Sequence, residues 1–289
     1  MPVLVANFKL PGASERCGEL AQKNPLGERE QRIKFYEDEH VYFVDGVRVP
    51  RSVTGLVHSY CTGAFRPAEA VASMKASGRW EERRLDFLHA DGTEMNADEI
   101  AQRWERQGRV ASARGTLLHF HAECWCNGRA IEEPHSLEFT MVLRIAAVLR
   151  EWGFVPWRTE LCVFHMGLKL AGQLDALFIN DARQLLLIDW KRCKNVTFDC
   201  CWRTLKPPLE HLGDCNGWVY SLQLNMYRWI LESAYGLMVG DRMYLAVVHT
   251  DLSKPRLVKI PHLEEEVEAV ITDQLEKGLA VSRGEPVEV

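Results

Sequence analysis

The chain is predicted to fold as an α/β protein, a central mixed β-sheet flanked by helices, preceded by an N-terminal β-hairpin and a helical extension. Three observations predict this. Strand-like runs cluster at 158–164, 170–179 and 184–190, and two more follow at 243–249 and 256–260. Amphipathic helical segments precede, separate and follow them. That order, helices, three strands, a helix, two strands and an acidic helix, suits a sheet covered by helices. The 289 residues, 47% of them hydrophobic, can bury one large core or two small ones, and no internal repeat or low-complexity tract is present.

Residues 1–32 mix Gly, Pro and charge without periodicity and read as an arm, a flexible lead-in. Alternation on both sides of Asp45-Gly46 predicts a β-hairpin, because that dipeptide accepts the positive φ of a tight turn. Ser52 suits the N-cap of a helix opening at Val53. Residues 66–94 read as helical and then as a loop near Asp91-Gly92. Asn96 followed by Glu99 resembles a capping box before a long helix, expected to break near Gly108 and resume from Gly115 to Cys126. Leu137, Met141, Ile145, Val148, Leu149 and Trp152 recur at helical spacing until Gly153. The organisation expected is an arm (1–32), a hairpin and helical region over a cleft (33–110), a core (111–280) and a tail (281–289).

Nine cysteines, odd in number and scattered, without a recognisable secretion signal, imply free thiols in a reducing intracellular compartment: cytoplasm, nucleus, organelle matrix, or a virus- or phage-encoded protein. No run of about 18 apolar residues predicts a membrane span. Net charge is −5, so the whole chain does not advertise nucleic acid. The distribution is more telling. Over 101–129, five arginines stand against two glutamates; over 183–206, six basic residues stand against two aspartates. Locally positive segments on a mildly acidic protein are compatible with phosphate binding.

The segment 171–192, A-G-Q-L-D-A-L-F-I-N-D-A-R-Q-L-L-L-I-D-W-K-R, carries the chemistry. Folded as an antiparallel hairpin centred near residue 182, it sets Asp175 opposite Asp189, with Cβ atoms roughly 4.5–5.5 Å apart on one face. Lys191, two residues on, points the same way. Carboxylates that close repel unless a cation sits between them or one is protonated. A hydrophobic core has no need of such a set, whereas hard oxygen ligands suit Mg²⁺ or Mn²⁺. The plainer alternative is an ion pair at a strand end.

A G-x-x-D strand (Gly172 to Asp175) followed by a strand ending in D-W-K resembles the RecB-like branch of the PD-(D/E)XK nucleases. Three further segments agree: the helical G-T-L-L-H-F-H-A-E with His119, Glu160 on the preceding strand, and Gln223 and Tyr227 of S-L-Q-L-N-M-Y, four residues apart on one helix face. With Ser52-Val53-Thr54, the pattern looks most like the mitochondrial genome-maintenance exonuclease type and its viral and bacterial relatives. The resemblance implies a restriction-endonuclease-like core and DNA hydrolysis with one or two Mg²⁺ or Mn²⁺ ions. It suggests an exonuclease acting on single-stranded DNA ends in replication or repair, leaving a 5′-phosphate and a 3′-hydroxyl.

By the same resemblance His119, Asp175, Asp189 and the Trp190 carbonyl ligate metal, and Lys191 orients the attacking water. Glu160 completes the metal shell or is an edge-strand charge. Gln223 and Tyr227 contact DNA or brace the lysine strand, or simply pack. Glu123 orients His119 or is solvated. Arg114, Arg192 and Lys194, with Ser52 and Thr54, are the candidate nucleic-acid contacts; Trp104, Trp125 and Trp202 could stack on bases or serve the core. Relatives with an iron–sulfur cluster have a Cys triplet near the C-terminus; here no Cys follows Cys215, so no cluster is expected. No zinc is expected either. His119, His121, Cys124 and Cys126 cannot converge from one continuous helix, and Cys193, Cys200, Cys201 and Cys215 read as free thiols. A helicase or polymerase partner is common around such nucleases, though nothing here demands one. The rival readings are an inactive nuclease-fold DNA-binding module and a nuclease of a transposon, restriction or CRISPR-adaptation system.

Overall fold

A computed structural model describes residues 17–63, 66–78, 80–131, 133–199 and 203–283. These residues divide into two compact units, 63–117 and the remainder. In chain order the elements are α1 (Glu19–Lys23), α2 (Glu28–Gln31), β1 (Ile33–Tyr36), β2 (Val41–Val44), β3 (Val47–Arg48), β4 (Arg51–Ser52), α3 (Val53–Ser59), α4 (Pro67–Ala76), α5 (Trp80–Arg83), α6 (Ala97–Cys126) and α7 (Leu137–Glu151). Then follow β5 (Val155–His165), β6 (Leu170–Ile179), β7 (Leu185–Arg192), α8 (Asn216–Tyr235), β8 (Met243–Val248), β9 (Arg256–Lys259) and α9 (Glu264–Arg283).

Local chemistry accounts for several element ends. Asp45 and Gly46 both adopt positive φ, 52° and 78°, and turn β2 into β3. The Ser52 hydroxyl caps α3 by accepting from Gly55 N at 3.0 Å. Asn96 and Glu99 form a reciprocal box: Asn96 N donates to Glu99 Oε2 (2.7 Å) and Glu99 N to Asn96 Oδ1 (3.0 Å). Gly153, at φ 83°, ends the α7 segment. One expectation is corrected here. The α6 helix does not break near Gly108 but runs unbroken from Ala97 to Cys126. A glycine inside a helix costs only about 1 kcal/mol against alanine, which neighbouring turns can carry.

Within the larger unit the sheet is mixed. β5 runs antiparallel along one edge of β6. On its other edge β6 pairs first with β4, parallel, at Leu170 and Ala171, and then with β7, antiparallel, from Ala176 to Ile179. β7 continues parallel to β8, and β8 antiparallel to β9. One face carries Leu177, Leu185 and Leu187 against Leu56 of α3, Leu222 and Met226 of α8 and Val267 of α9. The other carries Ala176, Phe178, Leu186 and Ile188 against Leu118 and Ala122 of α6 and Val142 and Ile145 of α7. Helices therefore flank a central mixed sheet on both faces. The N-terminal segment joins this unit through Arg158, whose buried guanidinium pairs with Glu30 and donates to Asn24 O at 2.9 Å. No helix among the described residues is long and apolar enough to cross a membrane.

In the smaller unit, Val71, Phe87 and Ile100 form a separate small core with Trp80 and Trp104 packed on it.

Candidate metal centre

The β6–β7 register aligns Ala176 with Ile188 and Ile179 with Leu185, which centres the hairpin on residue 182. Kept one step further, it would pair Asp175 with Asp189. The ladder stops short of that step. Trp190 N, which a continued ladder would direct to Leu174, donates instead to Asp175 Oδ2 at 2.6 Å. The strands part where the two carboxylates begin, and a side chain replaces the main chain as acceptor.

On the other edge of β6, Thr159 pairs with Ala176 and Leu161 with Leu174, so Glu160 stands opposite Asp175. Its φ is +48°, the left-handed region a glutamate rarely adopts. The Glu160 carbonyl accepts from Gln173 Nε2 at 3.2 Å. His119, near the C-terminal end of α6, places Nδ1 3.4 Å from Asp175 Oδ2. One ligand atom from each of His119, Glu160 and Asp175 lies within 4.8 Å of the other two. This nitrogen and two oxygens could together hold one metal ion.

The electrostatics fit the same conclusion. Burial opposes charge on His119, but Asp175 and then Glu160 outweigh it and raise its pKa to about 9. A proton thus offsets part of the negative charge that a dication would offset more fully. Burial pushes the Asp189 carboxyl upward, and Asp175 adds to this, while Lys191 pulls the other way. Asp175 is also penalised by burial, yet His119 and Lys191 hold it below the usual aspartate range. Lys191 is partly withdrawn from water too; the attraction of Asp189 and Asp175 exceeds that penalty and keeps its ammonium charged.

Asp189, 3% exposed, stands outside the three-residue set. Its Oδ2 is 2.6 Å from Lys191 Nζ. Trp190 enters the site through its N–H, and its ring is buried in the face shared with α6 and α7. Along α8, Gln223 Nε2 reaches Thr54 Oγ1 at 3.5 Å, and Tyr227 is buried against Gly172. The Ser52 hydroxyl is occupied as the α3 cap. Arg192 Nε donates to Glu138 Oε1 at 2.5 Å in a largely buried pair, and Lys194 pairs with Asp251 at 2.5 Å. Arg114 lies on α6 in the smaller unit. Trp104 belongs to that unit's core, and Trp125 packs half-buried beside α7. Cys124 Sγ lies 3.7 Å from Cys17 Sγ. Cys200, Cys201 and Trp202 lie outside the described residues, as do the arm before residue 17 and most of the tail.

Tyr220 is the site neighbour that sequence reasoning missed. Its ring lies under Lys191 Nζ, 4.7 Å from the centroid. The available signal was helical spacing: Tyr220 precedes Gln223 by three residues and Tyr227 by seven, which puts all three on one face.

No protein-family profile matches the chain, and no curated protein matches its sequence. Among solved structures, a protein designated SSO0001 aligns with a TM-score of 0.29 and 15% identity over 78% of this chain and 74% of its own. A candidate exonuclease from Eubacterium rectale aligns with a TM-score of 0.34 and 10% identity over 82% of each chain.

Proposed function

We propose that the protein is a metal-dependent nuclease of the RecB-like PD-(D/E)XK kind, with a restriction-endonuclease-like core, that hydrolyses DNA phosphodiester bonds as an exonuclease on single-stranded ends. One observation carries this reading. His119, Glu160 and Asp175 converge within 4.8 Å of one another, beside a charged lysine held at the parted end of the β6–β7 ladder.

Those three residues would hold Mg²⁺ or Mn²⁺, with Asp189 and the Trp190 carbonyl as the further donors the motif resemblance suggests. A bound ion of this kind supplies charge for the scissile phosphate and lowers the pKa of its water. The chain's own residues do the rest. Lys191 keeps a positive charge in a largely dry place, where an ammonium stabilises charge developing on a phosphate oxygen far more than in bulk water. Asp189 fixes that ammonium. Asp175 is fixed in turn by the Trp190 N–H, which holds the same Oδ2 that faces His119. Gln223, Thr54 and Tyr227 tie α8 to α3 across the site. Arg192 and Lys194 carry carboxylate partners, so a phosphate contact by either would displace Glu138 or Asp251.

The test is digestion of end-labelled single- and double-stranded DNA with Mg²⁺ or Mn²⁺. It compares the native chain with Asp175→Asn and Lys191→Ala, each checked for folding. Cutting that EDTA stops and both variants lack supports the reading, and the product ladder gives the polarity. A native protein that binds DNA but cuts it with neither metal would be a DNA-binding module of nuclease-like architecture.

A further inference from the structure

We propose that Tyr220 is a positioning residue for Lys191, holding the ammonium by the face of its ring; this rests on the nuclease reading above. Lys191 Nζ lies 4.7 Å from the Tyr220 ring centroid and 2.6 Å from Asp189 Oδ2, and its side chain is 18% exposed. A lysine is a point charge on a flexible four-carbon stem. With Asp189 alone as partner, that stem would leave the ammonium free to swing about one carboxylate.

A ring face restrains it differently from an oxygen. The quadrupole attracts the whole cation and takes up no single N–H, whereas an acceptor oxygen in the same place would fix one donor and compete with substrate. Lysine has three donors. Held between one carboxylate and one ring, it keeps donor capacity for a phosphate oxygen while staying charged and desolvated. Tyr220 is built for this position. It stands in the second turn of α8, half-buried and packed against the core that also holds Tyr227, so the ring plane is anchored by the helix. The charges that reach Lys191 are those of Asp189, two residues away on β7, and Asp175 of β6, both attractive, and that of His119 of α6, which opposes them. None of them sets where on its arc the ammonium rests; the ring does.

The experiment compares the native chain with Tyr220→Phe and Tyr220→Leu, with Tyr220→Met as replacement should the Leu variant not fold. Two quantities are read: kcat and KM for Mg²⁺-dependent digestion of labelled single-stranded DNA, and the ¹H–¹³C NMR position of the Lys191 ε-methylene in metal-free protein. Loss of the ring is expected to lower kcat about tenfold with KM unchanged, the rate equivalent of a partly buried cation–π contact. Tyr220→Phe, which keeps the ring face, should stay within about twofold of native. The ε-methylene protons should be shifted upfield in the native and Phe proteins and return to the ordinary lysine position without the ring. Unchanged kcat in the ringless variant overturns the proposal, as does a Phe variant as slow as Leu, a change in KM alone, or an unmoved ε-methylene. If the native protein cuts no DNA, the nuclease reading fails, while the NMR comparison still decides whether the ring holds Lys191.

Discussion

The ring of Tyr227 occupies the space that a side chain on Gly172 would need. A Cβ built there lies 2.8 Å from Tyr227 Cε1, 3.0 Å from its hydroxyl and 3.1 Å from Val53 Cγ2. The glycine of G-x-x-D and the tyrosine of Q-x-x-x-Y are thus two halves of one contact. Gly172 is required for close approach and not for unusual backbone angles. Gly172→Ala should destabilise the protein by about 1–3 kcal/mol through overpacking, read as a lower urea midpoint at unchanged slope. In a Tyr227→Leu background the same change should cost clearly less. Equal costs in the two backgrounds would show that the ring is not what the glycine accommodates.

Glu160 holds a left-handed backbone, at φ +48°, where its carboxylate meets His119 and Asp175. Such a conformation costs a non-glycine residue on the order of 1–3 kcal/mol. Glu160→Gly removes that strain but adds chain entropy to the unfolded state, so metal-free stability should change by no more than about 1 kcal/mol. The rise in melting temperature on adding Mn²⁺ should largely disappear, as it should for His119→Ala. A Glu160→Gly protein that is much less stable yet keeps its response to Mn²⁺ would make the carboxylate a structural group.

Arg158 is 2% exposed along its side chain and depends on Glu30 for its countercharge. Glu30→Gln leaves a buried guanidinium without that charge and should cost about 3 kcal/mol. The pH dependence follows from the direction of the Glu30 shift. Burial raises its pKa, but Arg158 and the Leu26 N–H outweigh burial and leave it below the usual glutamate value. A carboxyl depressed on folding stabilises the protein above its unfolded pKa, and the contribution is lost as pH falls through the folded value. Denaturant titrations from pH 6 down to about pH 3 should show a shallower decline in Glu30→Gln than in the native chain. Parallel curves would remove Glu30 from the acid response.

Ser52 caps α3, so Ser52→Ala should lower stability by about 1 kcal/mol. Ser52→Asp, which also caps, should restore most of it. Loss of DNA binding by Ser52→Ala at full folded population, unrelieved by Asp, would instead make the hydroxyl a nucleic-acid contact.

Local rules made the Asp45-Gly46 hairpin, the α3 cap, the Asn96–Glu99 box and the centre of the 170–192 hairpin legible, because each depends on residues a few positions apart. The same rules placed Asp175 opposite Asp189. They could not show that the ladder ends at Ala176 and Ile188, which depends on a side chain out-competing a carbonyl for Trp190 N. Nor could they show that Arg192 is taken up by Glu138, 54 residues earlier, or that Tyr220 lies under Lys191. Those relations belong to packing between distant segments, which no spacing records. The continuity of α6 through Gly108 and Gly115 is a further case: intrinsic propensity argued for a break, and the helix ran on.

Between Ala171 and Ala176, one edge of β6 has no neighbouring strand among the described residues, since β4 has ended and β7 has not yet joined. The site is a gap left in a sheet that could have zipped shut. One more rung, Leu174 to Trp190, would consume the donor that now orients Asp175 and draw the carboxylates together. Chemistry and sheet closure therefore compete for the same peptide group, and the charge of Asp175 tips the contest. Replacing that aspartate with an apolar residue of similar size should do more than delete a ligand. It should let the hairpin finish pairing and close the opening beside His119 and Glu160.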